Sequence, residues 1–600
     1  MENTKLLENM RHSGAHLLAH AVTSLYPEVK LAIGPAIEYG FYYDFDFGDI
    51  QIKEEDLVKI EEKMRELQKK DFPFEKIEMN ISDAKDFLKK SDQIYSLSLL
   101  KDIEEKGSTR KTEFTNAKNT VETVTFYKSG DFINLCRGGH VKSYSKIGEY
   151  RLISIAGAYF RGDEKNKMLT RIYAACFDTK SKLDTFLKDR EDAKTRDHRI
   201  IGEKLGIFMI SDEVGQGLPL LLPKGETLKY LLMQYMRKNE EELGYRYVST
   251  PHLASEKLYQ KSGHIKFFSS DMYKIKDKEG NIFYVKPMNC PHHHMIYKKL
   301  IQSYRQLPLK LSEGAAVYRY ERSGTLTGLI RVRGPITQND SHIYLSKAQL
   351  GEEFKKLLNF FKDVYTDLGI KNYWYRISLP DFKKDKYEGD KNLWKYASEK
   401  IETVLIESKQ RFTKESGEAA FYGPKLDVQI KNVYGKEETI ATIQIDILVP
   451  ERMDLTFINS NGEKETPIVI HKSIIGAYER FIAFFIEQTG GIFPIRFSPV
   501  QVKIIPVSDQ YNNIAIDIER ILQNSGVRTA VDTTDESVGK KIRNATIEHI
   551  PAKIVLGEKE LDNKKTSGIW EFNINWRDDI KNKEKININE FIEIINTDKI

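Results

Sequence analysis

Residues 180–205 read KSKLDTFLKDREDAKTRDHRIIGEKL, a run with helical periodicity that carries too much charge to lie in a core. Its composition favours a solvated linking helix, and that helix divides the chain. Before it, residues 11–26 place apolar side chains at helical spacing up to Pro27, and KLAIGPAIEYGFYYDFDFG reads as strands and turns. Residues 54–70 and 82–105 read as charged amphipathic helices, and 121–177 alternates like strands through VTFYKSGDFINLC, RLISIAGAYF and RIYAACF. After the charged run, 225–243 and 472–489 are the clearest helices, and AVYRYERSGTLTGLIRVR (316–333) reads as two strands joined by a polar loop. Toward the C-terminus, VQVKIIPV, VRTAVD and AKIVLG are short apolar strands between helical stretches, the pattern of a small α/β domain with mostly parallel pairing. The division expected is a first α+β domain at 1–180, a linker helix at 181–205, a mixed domain at 206–495 and an α/β domain at 496–600. A chain of 600 residues needs several such cores rather than one.

Composition excludes some classes and leaves others open. An apolar fraction of 40% with 30% charged residues is that of an ordinary globular protein. No stretch approaches the roughly 18 apolar residues of a membrane span. The opening MENTKLLENMRHSG has neither a signal peptide's apolar run nor a transit peptide's Arg/Ser bias. The three cysteines, Cys136, Cys176 and Cys290, cannot form a disulfide framework and suit a reducing compartment. A cytoplasmic protein is expected, with no membrane partner. The net charge, 93 basic minus 88 acidic residues, is +5, which neither requires nor excludes a nucleic acid.

Four constellations carry chemistry. Arg319 and Glu321 lie on one expected strand and Arg331 and Arg333 on its partner. Guanidinium forks with one carboxylate suit a polyphosphate beside a nucleobase, although a surface ion-pair ladder would look the same. In HKSIIGAYERFIAFFIEQTG (471–490), Ile474, Ile475, Tyr478, Phe481, Ile482 and Phe485 trace a buried stripe in which Arg480 needs a partner, ligand or structural. KPMNCPHHHMIY (286–297) sets Cys290 just before three histidines. Finally, His12 and His16 are four apart on the first helix, and Cys136 and His140 repeat that spacing in CRGGH. On spacing alone that quartet reads as a zinc site.

RYE on a hairpin followed by GAYER on a helix resembles motifs two and three of the class II aminoacyl-tRNA synthetases, and GYRYVSTP (244–251) resembles motif one, the dimer-forming segment. KPMNCP, AFYGPK (420–425), IHKSIIGAYERF and AGAYFRGDEKNKMLTRIY (156–173) all follow the threonyl-tRNA synthetases, and the resemblance covers essentially the whole chain from residue 10 onward. The family's frequent ubiquitin-like N-terminal domain is missing from this sequence, so a shortened form is expected.

The resemblance implies a class II antiparallel-sheet catalytic core, an N-terminal α+β editing domain, a C-terminal α/β anticodon-binding domain, and a homodimer formed through the core. The implied reaction is ATP-dependent ligation of threonine to tRNA(Thr) through threonyl-adenylate, with hydrolysis of mischarged seryl-tRNA(Thr). It implies zinc on Cys290, His342 and His471, which leaves the His292–His294 run incidental, and Mg²⁺ with ATP. Arg319 and Arg480 would meet the reacting phosphate, Arg331 the triphosphate and Glu321 the adenine, with Gln444 also toward ATP. Gln338, Asp340, Tyr422 and Lys425 would line the threonine pocket. His12, His16, Cys136, His140 and Tyr43 would form an editing site that works without a metal, and Lys541, Arg543 and Glu560 would meet the anticodon.

Three departures stand out. The family's editing motif D-L-C-R-G-P-H here has Asn134 and Gly139. One residue more than the family spacing lies near Pro335. Ala477 replaces a serine usual in motif three.

Overall fold

The computed structural model describes residues 2–106, 122–163, 166–383, 386–581 and 585–597. Val121, Glu164 and Lys165, within segments read above, lie outside the described residues. The chain forms two compact units, 1–191 and 192–600.

In the first unit the opening helix runs Glu2–Leu25, ending just before Pro27. Its buried residues Met10, Leu17, Leu18, Ala21 and Val22 share a core with Phe41, Phe45, Ile172 and Ala174 of an antiparallel sheet. That sheet is ordered Lys30–Leu31, Gly40–Asp46, Met168–Phe177, Glu149–Tyr159. A second, three-stranded sheet joins Glu75–Asn80, Thr123–Ser129 and Phe132–Leu135. The expected helix at 82–105 is two helices, Ile81–Lys90 and Ile94–Lys106. The break falls at Asp92, which adopts a left-handed φ of 50° that a short polar side chain tolerates.

The charged run likewise contains two helices, Lys180–Thr195 and His198–Lys204. Asp197 restarts the helix by accepting from Arg199 N–H at 2.8 Å. This second helix is not solvated: Asp197 and His198 are buried, and His198 Nδ1 lies 2.8 Å from Glu487.

The second unit is built on an eight-stranded sheet ordered Arg246–Tyr247, Leu309–Val317, Ile336–Leu345, Ile468–Ser473, Glu437–Asp446, Lys425–Lys431, Tyr373–Leu379, Phe412–Ser416. The two outer pairings are parallel and the rest antiparallel. Directly paired residues share a face, so the register sorts the side chains. Glu313 pairs with Asp340, His342 with His471, His471 with Gln444, and Gln444 with Lys425. All of them stand on one face. The alternate residues Ile343, Ile443, Ile445, Ile470, Leu426 and Ile377 belong to the apolar core shared with helices Pro223–Glu242, Leu350–Asp367, Lys391–Glu407 and Tyr478–Thr489.

Two expectations need correction here. Residues 316–333 are not a hairpin. The antiparallel pair is 309–317 with 336–345, and 318–335 is an irregular excursion between them. Pro335 lacks the N–H a ladder requires, and Gly334 sits at φ 143°, so pairing resumes only at Ile336. Nor is 472–489 one helix: Lys472 and Ser473 end a strand, and the helix starts at Tyr478. Gly476, at φ 61°, separates the two in a conformation that favours glycine. Its N-cap is Ala477, whose side chain cannot accept the hydrogen bond that serine would.

The C-terminal sheet is ordered Thr529–Val531, Val502–Pro506, Ala552–Leu556, Glu571–Trp576, Lys585–Asn587, with the first three strands parallel. Val502, Ile504, Ala552, Ile554, Phe572 and Phe591 form its core.

One ionic pair interrupts the apolar side of the large sheet. Lys472 is fully buried and donates to Glu240 of helix 223–242, which also accepts from Ser312 Oγ at 2.6 Å, Asn339 Nδ2 at 2.8 Å and Tyr247 OH at 2.7 Å. Breaking one half of such a pair strands a charge. Lys472→Met should lower stability by about 3–5 kcal/mol, read as a large fall in thermal midpoint, whereas Lys472→Arg should lose far less.

Candidate functional site

The polar face of the large sheet collects residues separated by more than a hundred positions in sequence. Strand 336–345 supplies His342 and strand 468–473 supplies His471, while Cys290 begins helix Cys290–Leu300. Their ligand atoms all lie within 4.8 Å of one another, and all three residues are buried. His471 Nε2 lies 2.9 Å from Asp446 Oδ2. The other Asp446 oxygen accepts from the N–H groups of Leu448 and Val449 at 3.0 and 2.9 Å. The carboxylate therefore holds the His471 proton on Nε2, and the Nδ1 lone pair points at His342 Nε2, 3.0 Å away.

Burial, with Asp340 and Asp446 nearby, pushes the Cys290 thiol well up. Burial and the neighbouring imidazoles hold His342 well below its ordinary value, so it is a neutral ring with a lone pair to give. One thiol and two imidazoles form a donor set that suits zinc.

Around this cluster stand the other expected residues. Tyr422 stacks on His471 with ring centroids 5.0 Å apart, and its hydroxyl donates to Gln444. Lys425 pairs with Asp427 at 2.9 Å. Asp340 Oδ2 accepts from Asn289 Nδ2 at 2.9 Å, and Gln338 bridges to Ala477. The Arg319 guanidinium donates to the Pro287 carbonyl at 3.2 Å, and burial lowers its affinity for a proton despite Asp340, Tyr422 and Glu321 nearby.

Arg480 projects from its helix to Glu438 at 2.7 Å, the partner that its apolar surroundings demanded, but its Nε has none. Burial and the neighbouring Arg331 lower it as well. Arg331 approaches Glu321 at 3.8 Å. Arg319 and Arg480 are thus guanidiniums whose burial leaves them disposed to take a further anion, whereas Arg331 is exposed.

Sequence reasoning missed four contributors: Asp446 behind His471, Glu438 behind Arg480, His264 and His293. His264 Nε2 lies 3.5 Å from Cys290 Sγ, and His293 Nδ1 lies 2.8 Å from His342 Nδ1. Only the His293 position, three after Cys290, carried a signal. Its neighbours differ: His292 has no partner on either ring nitrogen, and His294 meets Tyr344 OH at 2.9 Å.

In the first unit, helix 2–25 and the CRGGH loop bring the expected quartet together. His12 Nε2 lies 3.0 Å and His140 Nε2 3.4 Å from Cys136 Sγ. His16 packs edge-on to His140 with centroids 4.4 Å apart. Burial pushes the Cys136 thiol up to about 11, and holds His140 down at about 3 and His16 well below its ordinary value. The pocket is thus lined by neutral rings. Tyr43 is buried and its hydroxyl accepts from Asn134 Nδ2 at 2.7 Å. Gly139 adopts φ 89°, which the ring of the family's proline forbids, so this loop takes a path of its own.

The anticodon expectations fare unevenly. Lys541 is buried, its Nζ donating to the Asp532 carbonyl at 3.1 Å, because it shares the inward face of helix Val538–Ile547 with Ala545. Glu560 is buried too, capping its own helix by accepting from Gly557 N–H at 3.0 Å. Arg543 alone of the three is exposed.

Three family models match: "tRNA synthetase class II core domain (G, H, P, S and T)" over residues 273–489, "Anticodon binding domain" over 501–598, and "Threonyl and Alanyl tRNA synthetase second additional domain" over 124–173. The threonine–tRNA ligase of Halalkalibacterium halodurans is 43% identical over 94% of this chain and 85% of its own length. That of Listeria monocytogenes is 44% identical over 92% and 84%. The crystal structure of the RNA binding domain of threonyl-tRNA synthetase from Cryptosporidium parvum superposes with a TM-score of 0.62 at 30% identity, covering 67% of this chain and 98% of that one. Identity at this level across nearly the whole chain, with three matching domains, means that it belongs to the threonine–tRNA ligase family.

Proposed function

We infer that this protein activates threonine with ATP, transfers it to tRNA(Thr), and hydrolyses seryl-tRNA(Thr). The observation that carries the reading is the convergence of Cys290, His342 and His471 on the sheet face that also presents Gln338, Asp340, Gln444 and Lys425.

In the first step the threonine carboxylate forms a bond to the ATP α-phosphorus and pyrophosphate departs. Arg319 and Arg480 stabilise the charge that accumulates on the phosphate oxygens. Arg331 holds the triphosphate, with Mg²⁺ as its companion, and Glu321 accepts from the adenine amine. Tyr422, Asp340, Gln338 and Lys425 orient the amino acid. The tRNA terminal hydroxyl then takes the acyl group and AMP leaves.

Selectivity requires more than shape, because an apolar pocket separates threonine from isosteric valine only about 100-fold. Cys290, His342 and His471 would hold zinc, which would supply a Lewis acid for the amino group and for the β-hydroxyl that valine lacks. Serine has that hydroxyl, so it needs a second, hydrolytic site. His12, His16, Cys136 and His140 fit that task without a metal, as neutral groups that orient water against the ester.

The homodimer expected through the core fits the exposed apolar residues of this unit, among them Tyr230 on helix Pro223–Glu242 before motif one and Leu253 just after it. Arg543 supports anticodon contact. No described helix is long and apolar enough to cross a membrane.

Two measurements test the reading. Cys290→Ser should lose bound zinc and lower threonine-dependent ATP–pyrophosphate exchange by more than about 100-fold, beyond what outer-shell changes produce; unchanged metal content and exchange would refute the metal assignment. Because His140 is held at about 3 and His16 is also lowered, their neutral forms persist well below pH 6.5. Seryl-tRNA hydrolysis, corrected for spontaneous deacylation, should therefore show no loss centred near the ordinary imidazole value of about 6.5, and His140→Ala should lower it by roughly 10²–10⁴.

A further inference from the structure

His293 sits in a run that has the look of an accident, yet it is fully buried and spans two named partners. Its Nε2 lies 3.2 Å from Glu313 Oε2 and its Nδ1 lies 2.8 Å from His342 Nδ1. Glu313 belongs to strand 309–317, opposite Asp340, and is held from several sides. Thr250 gives it an N–H at 2.8 Å and a hydroxyl at 2.9 Å, and the buried Lys286 ammonium approaches to 3.5 Å. Burial alone would push its carboxyl up, but the bonds from His293 and Thr250 and the Lys286 charge outweigh that and hold it at about 2.

The proton assignments follow in one direction. A carboxylate has no proton to donate, so His293 carries its own on Nε2 and donates to Glu313. In the neutral ring the other nitrogen, Nδ1, is then a lone pair. Two lone pairs cannot face each other at 2.8 Å, so His342 carries its proton on Nδ1 and donates to His293. The Nε2 lone pair of His342 is thereby aimed at the point where Nδ1 of His471 also aims, beside Cys290. Asp446 enforces the same outcome on His471 from the other side. Two acceptors at 3.0 Å repel unless a cation lies between them.

We propose that His293, backed by Glu313, is a positioning residue that fixes the tautomer and ring orientation of His342 for metal binding, and that the Thr250 bonds of Glu313 tie this relay to the 246–251 segment. The inference rests on reading Cys290, His342 and His471 as a metal site. It gives a physical role to one histidine of the 292–294 run without making any of the three a ligand.

Asparagine and glutamine separate the two halves of the relay. Asparagine carries its side-chain carbonyl about as far from the backbone as Nδ1, and so still accepts from His342. Glutamine places its amide at the reach of Nε2, keeping the bond to Glu313 but losing the one to His342. The full-length protein, stripped of metal, would be titrated with zinc against a chromophoric chelator and separately loaded with Co²⁺ to record its d–d bands.

His293→Gln and Glu313→Gln should weaken zinc binding by roughly 10–100-fold and shift the Co²⁺ bands, whereas His293→Asn should stay near the parent in both. Equal behaviour of His293→Asn and His293→Gln, whether both match the parent or both lose metal alike, would overturn the proposal. Failure of the metal reading itself looks different: the unaltered protein would take up neither zinc nor Co²⁺.

Discussion

Strand register is the constraint on which this molecule's chemistry depends. His342 and His471 face each other across adjacent antiparallel strands, and the residues beside His471 are Ile470 and Lys472. A slip of one position would turn a ligand into the helix layer and put an isoleucine or a lysine in its place. Apolar burial on the far face resists that slip, since Ile343 and Ile470 would have to meet the charged side. The Glu240–Lys472 pair resists it more sharply, because a buried ammonium has one place to go. Its ties to Ser312, Asn339 and Tyr247 reach the neighbouring strands and the motif-one segment, so a polar pair behind the sheet helps hold the polar face in front of it.

The same logic explains why the two units can handle related substrates with different chemistry. The larger unit sets the guanidiniums of the 318–335 excursion and of helix Tyr478–Thr489 beside carboxylates, Glu438 of the large sheet among them, an arrangement that suits charge developing on a phosphate. Arg480 is held by Glu438 at one nitrogen and left short at another, an arrangement that favours an incoming anion without requiring one for folding. The smaller unit presents three neutral imidazoles and a neutral thiol in a tight pocket. Such a pocket has little to offer a triphosphate, but it can polarise water beside an ester.

Legibility in the sequence followed how local each cause is. The Arg319, Glu321 and Arg480 motifs, and the Cys290, His342 and His471 set, were readable because a family resemblance joins segments that spacing cannot. The parallel strands of the C-terminal domain were readable from apolar runs. By contrast, 318–335 looks like two strands, and only Gly334 and Pro335, read as a stop rather than an insertion, betray the excursion. Helical spacing also runs through Ile474 and Ile475 into residues that are loop, since both are buried there for tertiary reasons. Lys541 was misread because a basic side chain on a short helix suggests an outward charge, whereas its position four before Ala545 marks the inward face. The support of His342 by Glu313 was not legible at all: it depends on which strands lie side by side.

The departures in the small unit can be argued on the same terms. Where the family has a carboxylate, Asn134 gives its amide N–H to the Tyr43 oxygen. A carboxylate would instead accept the tyrosine's proton and hold it. With asparagine the phenol oxygen is already an acceptor, so its proton is not taken up by residue 134, and burial keeps that proton in place by raising the phenol's affinity for it. One acidic group is lost and one hydrogen-bond donor is gained, beside imidazoles whose burial keeps them neutral. The exchange moves the site away from charge and toward donors, a direction that suits orienting a seryl hydroxyl or an ester carbonyl more than ionising a water.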